Sequence, residues 1–264
     1  MQWYEMLAVF VAAVWAGGIN AVVGSGTLVT FPVLLAVGVP PVSATMSNAI
    51  GLIPGNVSAA WGYRRELAGQ RRRLLRFLPA SLLGAVTGSW LLLHLSERAF
   101  ESIVPVLLVL ALLLVVFQKR LQARSLARRE ARGVTGDPRG LAGAGMFLAV
   151  YGTGVYGGYF TAAQGIVLIG IFGALLAENL QRLNALKNLL VLGVNLVAGA
   201  TYVWVEHVGS GPSRLDWTAV ALIASGSLVG GTLGARFGRR LPPSVLRGII
   251  VVLSCVAIVV ILTR

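Results

Sequence analysis

The sequence has 264 residues, of which 56% are hydrophobic and only 12% are charged, and its formal net charge is +13. A soluble domain carries about 25% charged residues, so this composition excludes a soluble protein and indicates an integral membrane protein. The basic residues stand in short runs between apolar segments, which is typical of cytoplasmic loops and argues against a nucleic-acid partner.

Taken in order, the chain contains ten hydrophobic segments. Six of them approach the roughly 20 residues that a crossing helix needs, whereas 27–38 is too short to cross comfortably. The first two segments, and likewise the sixth and seventh, are predicted either as full crossings or as a re-entrant hairpin. We expect an all-α polytopic membrane protein with about 8–10 transmembrane segments. The segments are residues 4–23, 27–38, 43–63, 74–94, 99–117, 141–156, 160–176, 183–205, 216–236 and 244–263.

Glycine-rich stretches interrupt the apolar sequence at two places, at Gly24-Ser25-Gly26 and, about half a chain later, at Gly157-Gly158. In hydrocarbon an unpaired backbone N–H or C=O costs several kcal/mol, so an unwound segment must face protein or a watery cavity. Paired breaks in corresponding places point to a transporter's binding site. We expect these two elbows to meet near the bilayer midplane and each following helix to present N–H groups to an anion.

Polar side chains near the elbows would complete this site. A neutral amide such as that of Asn48 offers N–H donors without a buried charge, although an interhelical hydrogen bond is an equal alternative. The alternative for Lys187 is that its side chain extends to the cytoplasmic surface. The predicted substrate-binding residues are Gly24, Ser25, Gly26, Thr27, Asn48, Gly157, Gly158, Thr161, Lys187 and Asn188.

The loop charges predict the orientation of the chain. If four clusters of basic residues all face the cytoplasm, only Arg98, Arg214 and Arg264 lie outside, which is a strong positive-inside bias. Both termini then face outward, and we expect a multi-pass protein of the cytoplasmic membrane. The four clusters lie in residues 64–76, 119–139, 182–187 and 236–247.

The two halves of the chain resemble each other. We predict a first transmembrane repeat over 1–118, a basic cytoplasmic linker over 119–140 and a second repeat over 141–264. Stretches 82–88 and 228–234 match at a constant offset, and each contains a Gly-x-x-x-Gly spacing that predicts close helix packing. Because five segments is an odd number, the second repeat is expected to be inverted, as in many secondary transporters. A second offset pairs Asn48 with Lys187, Asn56 with Asn195 and Tyr63 with Tyr202.

The sequence disfavours an enzyme. It contains no Ser/His/Asp pattern or phosphate-binding loop, and His94, His207 and the single Cys255 are not at metal-ligand spacing. We therefore predict no catalytic residue, metal site or cofactor. All nine acidic residues fall in loops or at segment ends, so any proton coupling is expected to arise from the substrate's own protonation or from Lys187.

The order of these motifs resembles that of the TauE/SafE family, the sulfite exporter or TSUP group. The likeness spans nearly the whole chain. One departure is the second elbow, where Tyr156, Tyr159 and Phe160 stand in place of the family's more usual small residues. The stretches that carry the likeness are Gly17–Pro32, Ser43–Asn48, Trp61–Leu67, Asn184–Asn188, Asp216–Trp217 and Gly230–Leu241.

The resemblance implies transport of small anions, notably sulfite and organosulfonates. We therefore expect a secondary transporter that acts as an exporter, with a small anionic substrate and the lipid bilayer as its partners. A homodimer is left open as an assembly. Two other functions also stay open, an anion channel-like pore and a membrane scaffold or assembly factor that moves nothing.

The orientation is testable in a chain whose Cys255 has been replaced by alanine. A cysteine introduced at Arg72 should react only with membrane-permeant thiol reagents in intact cells, because its loop is predicted to be cytoplasmic. A cysteine at Ser96 should react with impermeant reagents as well. Labelling of both positions from the same side would overturn the predicted orientation.

Overall fold

The computed structural model describes residues 1–131, 141–176, 178–208 and 214–237. Within these ranges the chain forms ten α-helices and no strand, so the all-α fold class is confirmed. The tenth predicted segment, 244–263, lies outside the described residues, as does the glycine-containing end of the predicted linker. The helices are α1 (Trp3–Val22), α2 (Thr27–Ala36), α3 (Pro41–Gly51), α4 (Ile53–Gly62), α5 (Arg71–His94), α6 (Glu97–Ala131), α7 (Leu141–Tyr159), α8 (Gln164–Leu175), α9 (Leu180–Val208) and α10 (Trp217–Phe237).

Four of the described helices, α1, α5, α9 and α10, are long and apolar enough to cross a membrane. Helices α2 and α8 are apolar but have only 10 and 12 residues. At 1.5 Å per residue they are about 15 and 18 Å long. Each is therefore long enough to cross only about half of the roughly 30 Å hydrocarbon core of a bilayer.

Two predicted segments differ most from the helices of the structure. The segment predicted over 43–63 is divided at Leu52 into α3 and α4. Pro54, at the second position of α4, has no N–H, and its ring crowds the carbonyl of Ile50, which accounts for the break. Helix α6 continues to Ala131, so the first part of the predicted linker is helical.

Glycines allow helices from the two halves to touch. Helix α1 packs against α10, and α5 packs against α7. A Cβ on Gly230 would lie 1.8 Å from the carbonyl oxygen of Val14, and one on Gly88 would lie 2.0 Å from that of Val155. The Gly-x-x-x-Gly spacings therefore act in helix packing. The inverted relation between the halves stays a prediction.

Large apolar side chains point away from these contacts. Leu83, Trp90, Val106 and Trp204 are all more than half exposed on the outer faces of their helices. A soluble protein rarely exposes so many large apolar side chains, whereas lipid tails are a suitable environment for them. The outer surface is therefore that of a protein embedded in a bilayer.

The close packing of α5 on α7 gives a stability prediction. Gly88→Ala should lower the free energy of unfolding by about 1–3 kcal/mol, because its new methyl group overlaps backbone and the helices must separate. Gly152→Ala is the matched control on α7, since a Cβ there meets nothing within 4 Å. Thermal unfolding of the two purified variants in detergent measures the difference. Equal melting temperatures would contradict the packing.

Candidate functional site

The first break in a helix lies between α1 and α2. Helix α1 ends at Val22, and Gly24 adopts φ +86°, a left-handed conformation that glycine tolerates well. A Cβ on Gly26 would lie 2.5 Å from the carbonyl oxygen of Ala16, so the chain turns back beside the last turns of α1. The break therefore occurs where the sequence predicts it.

The second break lies between α7 and α8, in residues 160–163. The prediction placed it at Gly157 and Gly158, but both residues belong to α7. These glycines are packing positions: a Cβ on Gly158 would lie 2.4 Å from the carbonyl oxygen of Ala85, and one on Gly157 would lie 2.3 Å from Cδ of Gln164. The predicted position of the second elbow is corrected accordingly.

This second break uses unfavourable backbone conformations. Thr161 has φ +65° and Ala163 has φ +58°. Left-handed backbone at residues other than glycine costs of order 1–3 kcal/mol each and persists only where the surroundings enforce it. Such strain clusters at binding and switching sites, which makes this segment, including the predicted contact Thr161, a candidate functional element.

The two breaks touch each other. The backbone N–H of Gly165 donates to the carbonyl oxygen of Gly24 at 3.1 Å. A Cβ on Gly24 would lie 2.6 Å from Cα of Gly165, so neither position has room for a side chain. The rings of Phe31 and Phe160 pack edge to face, with centroids 5.1 Å apart, and join α2 to the second break. Their depth in the bilayer stays a prediction.

Three side chains of α9 cap the end of α1. Nζ of Lys187 donates to the carbonyl oxygen of Asn20 at 3.0 Å and lies 3.5 Å from that of Ala21. The amide nitrogen of Asn188 also donates to the carbonyl oxygen of Ala21, at 3.1 Å, and that of Asn184 donates to the oxygen of Val22, at 3.1 Å.

This cap has a clear physical cause. The last four carbonyl groups of a helix have no partner within the helix, and the helix dipole makes that end negative. A lysine and two amides supply the missing donors. Since the Lys187 side chain is fully buried, it does not extend to the cytoplasmic surface.

Asn48 joins α3 to α2. Its amide nitrogen donates to Oγ1 of Thr27 at 3.0 Å, and the Thr30 hydroxyl donates to its amide oxygen. All three side chains are buried. Asn48 therefore makes an interhelical hydrogen bond, which is one of the two roles that its sequence position predicts.

Sequence reasoning missed several polar contacts at the breaks. The amide nitrogen of Asn20 donates to the amide oxygen of Asn56 at 2.5 Å, and the Tyr202 hydroxyl donates to the carbonyl oxygen of Gly158, near the end of α7, at 2.5 Å. The repeat alignment does single out Asn56 and Tyr202. It does not identify their partners, because these lie on helices distant in the sequence.

The first-turn N–H groups of the two half-helices are largely engaged. The N–H of Gly165 bonds to Gly24, and those of Ile166 and Leu28 bond to the carbonyl oxygens of Ala163 and Ser25, at 2.9 and 3.1 Å. The expected set of free backbone donors at these helix ends is therefore reduced. Side chains must supply much of any contact with a ligand.

Buried polar atoms without a partner lie beside the two breaks. The hydroxyl of Ser25 and both amide atoms of Gln164 have no hydrogen-bond partner among the described residues. Ser25 follows Gly24 in the chain, and Gln164 precedes Gly165. An unpaired buried polar group costs about 1–3 kcal/mol, so its presence calls for an explanation such as a ligand.

Four apolar helices are long enough to cross a membrane, and two helix breaks with buried polar groups beside them touch each other. These features define a polytopic helical membrane protein of the transporter class. The chain belongs to the TauE/SafE family, because the family described as "Sulfite exporter TauE/SafE" matches residues 9–261. The family resemblance inferred from the sequence is thereby confirmed.

Several similar proteins align with nearly the whole chain. A "Probable membrane transporter protein" of Haemophilus influenzae is 25% identical over 95% of this chain and 92% of its own length. The "Probable membrane transporter protein YfcA" of Escherichia coli K12 is 27% identical over 94% of this chain and 86% of its own length. The "Probable membrane transporter protein ORF9" of a Sinorhizobium species is 26% identical over 95% of this chain and 90% of its own length. No solved structure matches the chain significantly.

The cap on α1 is testable by Lys187→Met, which keeps the apolar stem and removes the donors. We expect the free energy of unfolding to fall by about 1–3 kcal/mol, because buried carbonyls lose their partner. Arg98→Met is a suitable control, since Arg98 is exposed and should tolerate the change. Thermal unfolding in detergent measures both. A Lys187→Met protein as stable as the control would contradict the cap.

Proposed function

We propose that this protein is a secondary transporter that exports a small anion, such as sulfite or an organosulfonate, across the cytoplasmic membrane. One observation carries the proposal: two helix breaks, one from each half of the chain, are buried and joined by the hydrogen bond between Gly165 and Gly24. At membrane depth, irregular backbone is tolerated only where it is buried by other parts of the protein or lines a water-filled cavity. Paired broken helices of this kind form the substrate sites of secondary transporters.

The charge distribution around the breaks supports an anionic substrate. The stem of Lys187 lies against both glycines, with its Cδ 3.1 and 2.9 Å from the positions that a Cβ would take on Gly24 and Gly165. Its Nζ donates to the carbonyl oxygen of Asn20 at the negative end of α1. No acidic residue stands in the described stretches 20–30 and 156–166 that form the breaks.

The donors for such an anion are neutral. An anion that enters between the breaks loses water and needs hydrogen bonds in return. The hydroxyl of Ser25 and the amide of Gln164 offer them without burying another charge. Gly24, Gly26 and Thr161 would line the breaks themselves.

The remaining predicted contacts have a supporting role in this proposal. Thr27 and Asn48 bond to each other and fix the start of α2. Gly157 and Gly158 make room for neighbouring groups. Asn188, like Lys187, stabilises the end of α1. These residues would hold the site in shape, while the groups at the breaks contact the anion.

Transport would require the two breaks to move relative to each other. The chain offers hinges at Gly24 and at the strained segment 160–163. The predicted inverted relation of the halves would give two equivalent arrangements of opposite orientation, which is the basis of alternating access. The hydrogen bond between the breaks belongs to one such arrangement.

Flux into proteoliposomes tests the function. Labelled sulfite, sulfate, thiosulfate, sulfoacetate and small carboxylates should include at least one substrate with saturable uptake and counterflow against the unlabelled anion. Current without exchange would indicate the channel-like pore instead. Absence of flux and of current across the panel would favour the scaffold and contradict the proposal.

Two glycines provide a matched pair of variants for this assay. Gly24 and Gly38 both adopt positive φ, but only Gly24 contacts another backbone segment, whereas a Cβ on Gly38 meets nothing within 4 Å. Gly24→Ala should lower flux by about tenfold or more, as misplacement of site groups does in other proteins. Gly38→Ala carries the same backbone strain and should keep most of its flux.

A further inference from the structure

We propose that Gln164 and Ser25 contact the substrate directly, and that Gln164 selects oxyanions which also carry a proton-donating group. The inference rests on the proposed function and names the kind of anion that the site takes. Gln164 is not among the residues that the sequence pattern predicts for the site. The position of Gln164 in the structure and the chemistry of its amide group identify it as a candidate contact.

Gln164 lies at the start of α8. Its side chain is fully buried, and neither its amide oxygen nor its amide nitrogen has a partner in the described part of the chain. Gly157 on α7 leaves the space that this side chain occupies, since a Cβ there would lie 2.3 Å from both Cδ and Oε1. The fold therefore accommodates a polar group that it does not itself satisfy.

Gln164 and Ser25 are chain neighbours of the two glycines that join the breaks. Gln164 precedes Gly165, and Ser25 follows Gly24, so they lie on either side of the contact between the breaks. Ser25 is 1% exposed, and its hydroxyl also lacks a partner among the described residues. One unsatisfied group from each half of the chain therefore lies at the junction.

The chemistry of the amide gives the selectivity. A primary amide offers two N–H donors and one carbonyl acceptor. A substrate with acceptor oxygens alone would satisfy the donors of Gln164 and Ser25 but leave the amide oxygen facing negative charge. An oxyanion with an additional hydroxyl would satisfy both ends. Buried groups left unpaired are the source of the strongest discrimination between otherwise similar substrates.

A pair of sulfonates that differ by one hydroxyl tests the selectivity. Initial uptake of 2-hydroxyethanesulfonate and of ethanesulfonate is measured in proteoliposomes with the wild-type protein. We expect the hydroxyl compound to be favoured by about tenfold or more, which is the size of effect that one unmade buried hydrogen bond produces. Equal rates for the two would overturn the inference while leaving the proposed function intact.

Variants then assign the effect to residues. Gln164→Met preserves length and apolar contacts, and it should reduce the preference to below about threefold. Ser25→Ala should lower the rates for both sulfonates and leave their ratio near the wild-type value. Ser81→Ala is the matched control, because Ser81 on α5 is equally buried with an unpaired hydroxyl among the described residues, but lies at the α5–α7 contact.

The outcomes separate the two proposals. A wild-type protein that exchanges no anion of any class contradicts the proposed function, and the inference falls with it. A wild-type preference that persists in Gln164→Met overturns the role of Gln164 alone. If that variant does not insert, Gln164→Leu also removes both hydrogen-bonding atoms and takes its place, and a preference that persists in Gln164→Leu would likewise count against the inference. A change in Ser81→Ala as large as in Ser25→Ala would overturn the role of Ser25.

Discussion

The structure depends on the capping of one buried helix end. Helix α1 stops at Val22, and its last carbonyl groups would otherwise face an apolar interior. Lys187 and two asparagines of α9 supply the missing donors. Because these bonds hold the end of α1, Gly24 lies where it can accept the hydrogen bond from Gly165. The contact between the breaks, and the polar groups around it, follow from that cap.

The two breaks place different residue types in the left-handed backbone conformation. The first uses a glycine for its left-handed residue, which costs little. The second uses Thr161 and Ala163, whose left-handed backbone is strained. The second break is therefore the one with free energy to release if its backbone changes conformation. This difference gives the two halves unequal roles in any conformational cycle, even if their helices correspond one to one.

The sequence predicts most of the described helices and the first of the two helix breaks. The apolar segments, the shortness of the segment 27–38 and the break at Gly24 have local causes, so they can be recognised in the chain. The second break has no such signal, because Gly157 and Gly158 serve helix packing and the turn itself uses ordinary residues. The partner of Lys187 could not be predicted either, since 167 positions separate it from Asn20. Gln164 can be recognised as a candidate site residue only once its burial is known.

The long separation between α9 and the end of α1 also has a consequence for biosynthesis. A membrane protein enters the bilayer from its N-terminus, so α1 is inserted before Lys187 has been made. At about 5–20 residues per second, some 10–30 s pass before the cap can form. During that interval the end of α1 needs another source of hydrogen bonds, such as water, lipid headgroups or the insertion machinery. The first half of the chain thus completes its fold only after the first turns of α9 have been synthesised.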